Sequence, residues 1–117
     1  MSRNKQIIEG LASLDRSKLS AVLTDDVEWV EWVDGVPATG AVRRGKDAFL
    51  ENYGDDVLEG TFTRLTEEGD VVVAEGNVRV TKKDGASFNV RYCDIYELDH
   101  GKIRRKSSFG ALVKDAV

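Results

Sequence analysis

The sequence is poor in the residues that build covalent or metal-centred sites: its 117 residues include one cysteine, one histidine, one methionine and one proline. A lone cysteine, Cys93, forbids a disulfide within the chain and any cysteine-rich metal cluster, the usage of a reducing cytoplasm. A lone histidine, His100, likewise excludes a histidine-rich metal centre. Long apolar runs are missing too. The longest is Val71-Val72-Val73-Ala74, against about twenty residues for a membrane span and about seven to fifteen for the core of an export signal, so neither is expected. Nor is there a strong charge of one sign. The net charge is −4, and the basic groups Arg43-Arg44, Lys82-Lys83 and Arg104-Arg105-Lys106 are scattered among acids, which argues against nucleic acid as a partner. Glycine-rich phosphate loops, nucleophile elbows and metal-ligand spacings are absent, and no metal or cofactor is expected.

What is present is a balanced composition, 41% hydrophobic and 32% charged, which is that of a folded domain. At this length residues 1–117 form a single domain. Ile7, Ile8, Leu11 and Leu14 make one apolar helical stripe. Asp15 is positioned to cap a second short helix that buries Leu19, Val22 and Leu23. Val27 to Val33, rich in β-branched and aromatic residues, reads as the first strand. Val36 to Arg44 holds Pro37 and reads as a loop or a short edge strand. Ala48, Phe49, Leu50 and Tyr53 have helical spacing, with Gly54 as the C-terminal cap. Strands follow at Thr61 to Thr66, Val71 to Thr81, Ser87 to Leu98 and Lys102 to Phe109, with turns at Glu68-Gly69-Asp70, Asp84-Gly85 and His100-Gly101. Helices first and an antiparallel meander later is the α+β order, with helices on one face of a curved sheet.

The Asp84-Gly85 pair suits a two-residue hairpin loop. Counting back from it sets Thr81 opposite Phe88, Arg79 opposite Val90, Asn77 opposite Tyr92 and Glu75 opposite Asp94, all on one face. A three-residue bulged turn would shift this register by one. In the two-residue register one face mixes Phe88, Val90, Tyr92 and Tyr96 with Glu75, Asn77, Arg79 and Asp94, as a pocket lining does; an ion-pair network of Arg79 with Glu75 or Asp94 is the alternative. The other face carries Val78, Val80, Cys93 and Ile95, an apolar row that predicts a homodimer. Lys106 and Ser108 line the pocket if the His100 turn has three residues, and Arg105 and Ser107 do so if it has two.

Leu23-Thr24-Asp25-Asp26-Val27-Glu28-Trp29, the Gly45-Lys46-Asp47-Ala48 helix start and the closing Tyr92-Cys93-Asp94-Ile95-Tyr96 … Gly101-Lys102-Ile103 hairpin follow two helices in a familiar order. The arrangement resembles the nuclear-transport-factor-2-like superfamily, in particular its SnoaL-like and ketosteroid-isomerase-like branch, from Ile7 to Phe109. The resemblance implies a cone-shaped sheet with an internal pocket. That fold serves isomerases, cyclases, epoxide hydrolases, dehydratases and non-catalytic association domains. By position it implies Glu31 as general base and Asp94 as donor to a developing oxyanion. The tyrosine that completes the oxyanion hole in ketosteroid isomerases falls at Ile7, so steroid isomerisation is not implied. The acid, base and arginine cluster of limonene epoxide hydrolase has no counterpart beyond Arg79 with Asp94.

These readings converge on a pocket between the concave side of the sheet and the first and third helices. Its expected catalytic residues are Glu31 and Asp94, and its expected substrate-binding residues are Trp29, Tyr53, Asn77, Arg79, Tyr92 and Lys106. An apolar wall beside a carboxylate raises its pKa toward the working pH, as the known account of ketosteroid isomerase illustrates. The expected protein is a cytoplasmic, cofactor-independent acid–base enzyme acting on a small hydrophobic molecule. The alternative is a non-catalytic dimeric module that binds a ligand or partner in the same cavity. Against the catalytic reading, Glu28 and Glu31 could face solvent on an edge strand, and Asp94 could pair with Arg79.

Overall fold

A computed structural model describes residues 3–11, 16–34, 39–52 and 56–113. Among these residues the helices are α1 (Arg3–Gly10), α2 (Arg16–Leu19) and α3 (Lys46–Glu51). The strands are β1 (Leu23–Val33), β2 (Val42–Arg44), β3 (Val57–Glu68), β4 (Val71–Thr81), β5 (Ser87–Asp99) and β6 (Lys102–Val113). All six strands join one sheet in the order β2-β1-β6-β5-β4-β3. The expected meander runs from β3 to β6 with antiparallel neighbours. β1 lies parallel to β6 and antiparallel to β2, so β1 is flanked on both sides and is not an edge strand. The α+β architecture and the curved open sheet are those the sequence predicts.

The helices cover one face. Ile8 of α1, Leu19 of α2 and Phe49 of α3 close on Leu23, Val27, Trp29, Val72, Ala74, Tyr96, Leu98 and Ile103 of the sheet. Each fully buried aliphatic or aromatic side chain contributes about 1.5–3 kcal/mol. Ile7 and Leu11 of the predicted stripe pack beside Ile8. Leu14, Asp15, Pro37, Tyr53 and Gly54 lie outside the described residues.

The register of β4 on β5 differs from the predicted one. The connecting loop has three residues, Lys83, Asp84 and Gly85. Gly85 N–H donates to the Lys82 carbonyl at 2.9 Å, and Lys82 N–H donates to the Ala86 carbonyl at 2.7 Å. Gly85 takes φ +93°, a left-handed conformation that glycine adopts without strain, and the Asp84 carboxylate accepts from Ala86 N–H at 2.9 Å. Asp-Gly therefore fills the last two places of a longer turn. Val78 stands opposite Val90, Arg79 opposite Asn89 and Ala74 opposite Asp94. The apolar pattern favours this choice, because it puts Val72, Ala74, Val78 and Val80 on the same face as Val90, Tyr96 and Leu98. Two expectations fall with the predicted register. Asn77 and Arg79 lie on the face opposite Asp94, and the row Val78, Val80, Cys93, Ile95 is split between the two faces.

The β5–β6 turn combines both alternatives. His100 and Gly101, at φ +50° and +79°, form a two-residue loop between Asp99 and Lys102. On a regular ladder that loop would turn Arg105 and Ser107 toward the helices. The pairing instead steps from Leu98↔Ile103 to Glu97↔Arg105, leaving Arg104 as a bulge whose guanidinium meets Glu97 at 2.7 Å. The extra residue brings Lys106 opposite Tyr96 and Ser108 opposite Asp94.

Candidate functional site

Alternation along paired strands sets the helix-facing side of the sheet out in rows. One row reads Trp29, Lys106, Tyr96, Val72; the next Glu31, Ser108, Asp94, Ala74; the next Val33, Gly110, Tyr92, Gly76. Beyond them come Leu112, Val90, Val78 and Gly60, then Phe88, Val80 and Leu58. The polar and ionisable side chains thus occupy adjoining rows at the edge of the core. The same side continues away from them as an aliphatic surface whose outermost members, Leu58 and Leu112, are 45% and 46% exposed.

Asp94 is the centre of the polar group. Burial pushes its carboxyl above the ordinary aspartate range, and the charge of Glu31 adds to that push; Lys106 and hydrogen bonds from the Ser108 and Tyr96 hydroxyls pull the other way. Trp29 Nε1–H donates to Ser108 Oγ at 2.9 Å, so Ser108 relays between the indole and the carboxyl. The Lys106 ammonium lies 3.9 Å from Asp94 Oδ2 and 4.0 Å from the Trp29 ring centroid, with the Tyr96 ring 5.5 Å away. Its side chain is 8% exposed and that of Asp94 14%. Trp29 in turn packs on Phe49 of α3, the ring centroids 4.9 Å apart.

Glu31 lies two strand spacings from Asp94, about 10 Å between Cα atoms, with Ser108 between them. Asn52, at the C-terminal end of α3, donates from Nδ2 to Glu31 Oε1 at 2.6 Å and fixes this carboxylate against the helix. Glu28, one face away, is tied to Arg44 at 2.7 Å and Arg105 at 3.4 Å. The two glutamates of the first strand are therefore not equivalent: one is half-buried on the helix-facing side, the other is paired outside.

Tyr92 forms the border between polar and aliphatic rows. Its phenol is pushed up to about 12, mainly by burial and further by the Asp94 charge, with Lys106 acting in the opposite sense. The ring lies over Gly76, where a Cβ would come within 2.6 Å of Tyr92 Oη and would overlap the Thr61 carbonyl oxygen of β3. Glycine is required there by close approach.

Of the residues singled out in the sequence, the fold brings together Trp29, Glu31, Tyr92, Asp94 and Lys106. It does not bring Asn77 and Arg79 to them. Arg79 reaches Ser87 at 2.8 Å and Asn77 accepts from Arg91 at 3.3 Å, both on the opposite face. Tyr53 lies outside the described residues. Asn52 was not legible in the sequence, since an asparagine closing a helix ordinarily serves the backbone. Among the described residues no cluster of three or more histidine, cysteine or acidic side chains could hold a metal ion. No helix among them is long and apolar enough to cross a membrane. A separate groove of about 520 Å³ between α1 and β3, lined by residues including Lys5, Glu9, Phe62 and Arg64, shares no residue with this group.

A model of the SnoaL-like domain family matches residues 5–106. Among solved structures, the fold is similar to an NTF2-like protein of unknown function from Burkholderia pseudomallei, at 21% identity and a TM-score of 0.74, covering 92% of this chain and 90% of that one. It is similar to a protein assigned as a SnoaL-like polyketide cyclase from Jannaschia sp., at 15% identity and a TM-score of 0.75, covering 92% and 85%. A third similar structure is an LEH-like epoxide hydrolase of M. tuberculosis, at 20% identity and a TM-score of 0.73, covering 92% and 82%. No curated protein matches the sequence. These likenesses show the fold.

Proposed function

The chain belongs to the SnoaL-like domain family, and on that premise we propose that it is a small-molecule enzyme performing cofactor-independent acid–base chemistry on a hydrophobic carbonyl compound. Isomerisation, cyclisation, dehydration and hydrolysis all lie within that chemistry. The observation that carries the reading is the row Glu31, Ser108, Asp94 at the inner end of an aliphatic surface. Proton transfer at carbon needs a base on one side of the reacting bond and a donor for the oxygen on which charge develops. Glu31, held by Asn52, is the base. Asp94, whose carboxyl is driven toward its protonated form by burial, is the donor, and Tyr92 adds a second hydroxyl that stays protonated at neutral pH. Trp29 and the rows from Tyr92 to Leu112 bind the hydrophobic body of the substrate.

The same reading makes the protein a cytoplasmic homodimer. A composition with a single cysteine, Cys93, is that expected of a reducing compartment. On the face away from the helices, Trp32, Val42 and Phe109 are exposed large hydrophobic side chains. Trp32 and Phe109 are directly paired, and Phe109 is paired with Cys93. This belt replaces the row that the predicted register would have made, and a patch of this kind marks an interface.

The test is hydrogen exchange at the carbon next to the carbonyl of phenylacetone in heavy water, followed by NMR. The native protein should accelerate exchange, and Glu31→Gln should lower the rate about a hundred-fold. Exchange that is unaffected by Glu31→Gln would replace the enzyme reading with that of a non-catalytic binding module.

A further inference from the structure

The acid–base reading gives Lys106 no chemical step of its own, yet its surroundings are unusual for a lysine. Its amine is almost removed from water, 3.9 Å from a buried carboxylate and stacked over an indole at 4.0 Å. Lysine side chains are ordinarily among the most exposed. Burial disfavours the ammonium while the Asp94 carboxylate and the indole face favour it, so the amine is freed where its proton passes to Asp94, and a neutral amine is a nucleophile toward carbonyl carbon. Lys106 lies in the row next to Glu31 and Asp94, and it reaches Asp94 across that step, toward the aliphatic end of the surface.

We propose that Lys106 is a covalent catalytic residue, condensing with an aldehyde or ketone bound along the aliphatic rows to form an imine. The proposal rests on the carbonyl-substrate reading above and extends it. In the step, the proton shared by the Lys106–Asp94 pair moves to Asp94, giving the protonated Asp94 of the acid–base reading, and the neutral amine adds to the carbonyl carbon, a proton shifting from nitrogen to oxygen to give a carbinolamine. Asp94 then returns the proton to the carbinolamine hydroxyl, the C–O bond breaks, and water leaves as the C=N bond forms. One carbonyl compound and one ammonium give one iminium and one water, with no oxidant or reductant. The iminium carries its positive charge where an enolising carbonyl would need stabilisation, and it leaves the adjacent C–H within the reach of Glu31. Burial, which raises the Asp94 carboxyl, suits it to hold the proton between the two transfers.

The experiment uses the intact protein with phenylacetaldehyde and sodium cyanoborohydride, whose hydride reduces an imine to a stable secondary amine, followed by peptide mass mapping. The expected result is preferential labelling of Lys106 over the exposed Lys82, Lys83 and Lys102, and Asp94→Asn should slow that labelling about a hundred-fold. Lys106→Arg, which keeps the cation, should leave that position unlabelled. Binding of phenylethanol, which cannot condense, is followed by the emission of the Trp32→Phe variant, whose remaining indole is Trp29. Label confined to the exposed lysines in a protein that binds phenylethanol would overturn the imine. Persistent Glu31-dependent exchange of phenylacetone in that same protein would show that the acid–base reading survives without it.

Discussion

The two ends of the helix-facing side of the sheet are built from the same kinds of residue and have opposite fates. Under the helices, Val27, Val72 and Ile103 are fully buried beside Phe49 and Ile8. At the other end Leu58 and Leu112, no less hydrophobic, remain about half exposed, and the charged and hydroxylic residues lie between the two. Composition does not separate a core from an exposed wall; the position of the covering elements does. α1 and α3 are short and reach only part of the sheet, and the ionisable rows sit where that cover ends.

The strongest challenge to this division is a pair of truncations. Phe49→Ala should cost about 3–5 kcal/mol by urea denaturation, whereas Leu112→Ala should cost under about 1 kcal/mol. Equal losses would mean that the open end is core after all. Next in size is Gly76→Ala, at the boundary between the ends. Forcing a Cβ against the Thr61 carbonyl and the Tyr92 ring should cost about 3 kcal/mol, and a neutral result would show that β3 is free to move away. Ser108→Ala removes the partner of the buried Trp29 N–H and should cost about 1–2 kcal/mol, with a shift in Trp29 emission as the accompanying sign.

The smallest effects are pH-dependent and sharpen the comparison inside the polar rows. Because the Asp94 carboxyl is raised in the folded protein, its contribution to stability is fully present below the ordinary aspartate value and is lost as pH rises through its folded value. The stability difference between the native protein and Asp94→Asn should therefore drift against the native protein across that window. The opposite drift would make the Lys106 pairing, and not burial, the dominant influence. Tyr92 obeys the same sign at the alkaline end. Ultraviolet absorbance should show one tyrosine ionising near pH 12, and the stability it contributes should fade from about pH 10 upward.

Much of this architecture is legible in the sequence, because hydrophobic period and turn residues act locally. The Ile7, Ile8, Leu11 stripe, the strands from Val71 onward and the His100-Gly101 turn all follow from neighbours in the chain. What is not legible depends on comparing distant segments. The Asp84-Gly85 pair is compatible with both a two- and a three-residue loop; the choice is settled by which faces of β4 and β5 bury together, and it decides that Arg79 is not the partner of Asp94. The Arg104 bulge is equally silent, yet without it Lys106 and Ser108 would point outward. The parallel pairing of β1 with β6 joins the first strand to the last and has no local signature, so Glu31 and Asp94 could be named separately while the serine between them stayed one of two alternatives. Asn52 reaches Glu31 only through the docking of α3.

That last strand also imposes an order in time. Ser108 of β6 lies between Glu31 of β1 and Asp94 of β5, with Lys106 in the next row, so the two carboxylates acquire these neighbours only when β6 takes its place between β1 and β5. Closing contacts between the first and last strands of a chain is entropically slow, and a ribosome delivers β6 after every other strand. Until then the growing polypeptide holds Glu31 and Asp94 without the serine and lysine that stand beside Asp94. The polar rows are therefore completed as a late event of synthesis, and a chain cut short before Lys102 carries the two carboxylates but not their neighbours.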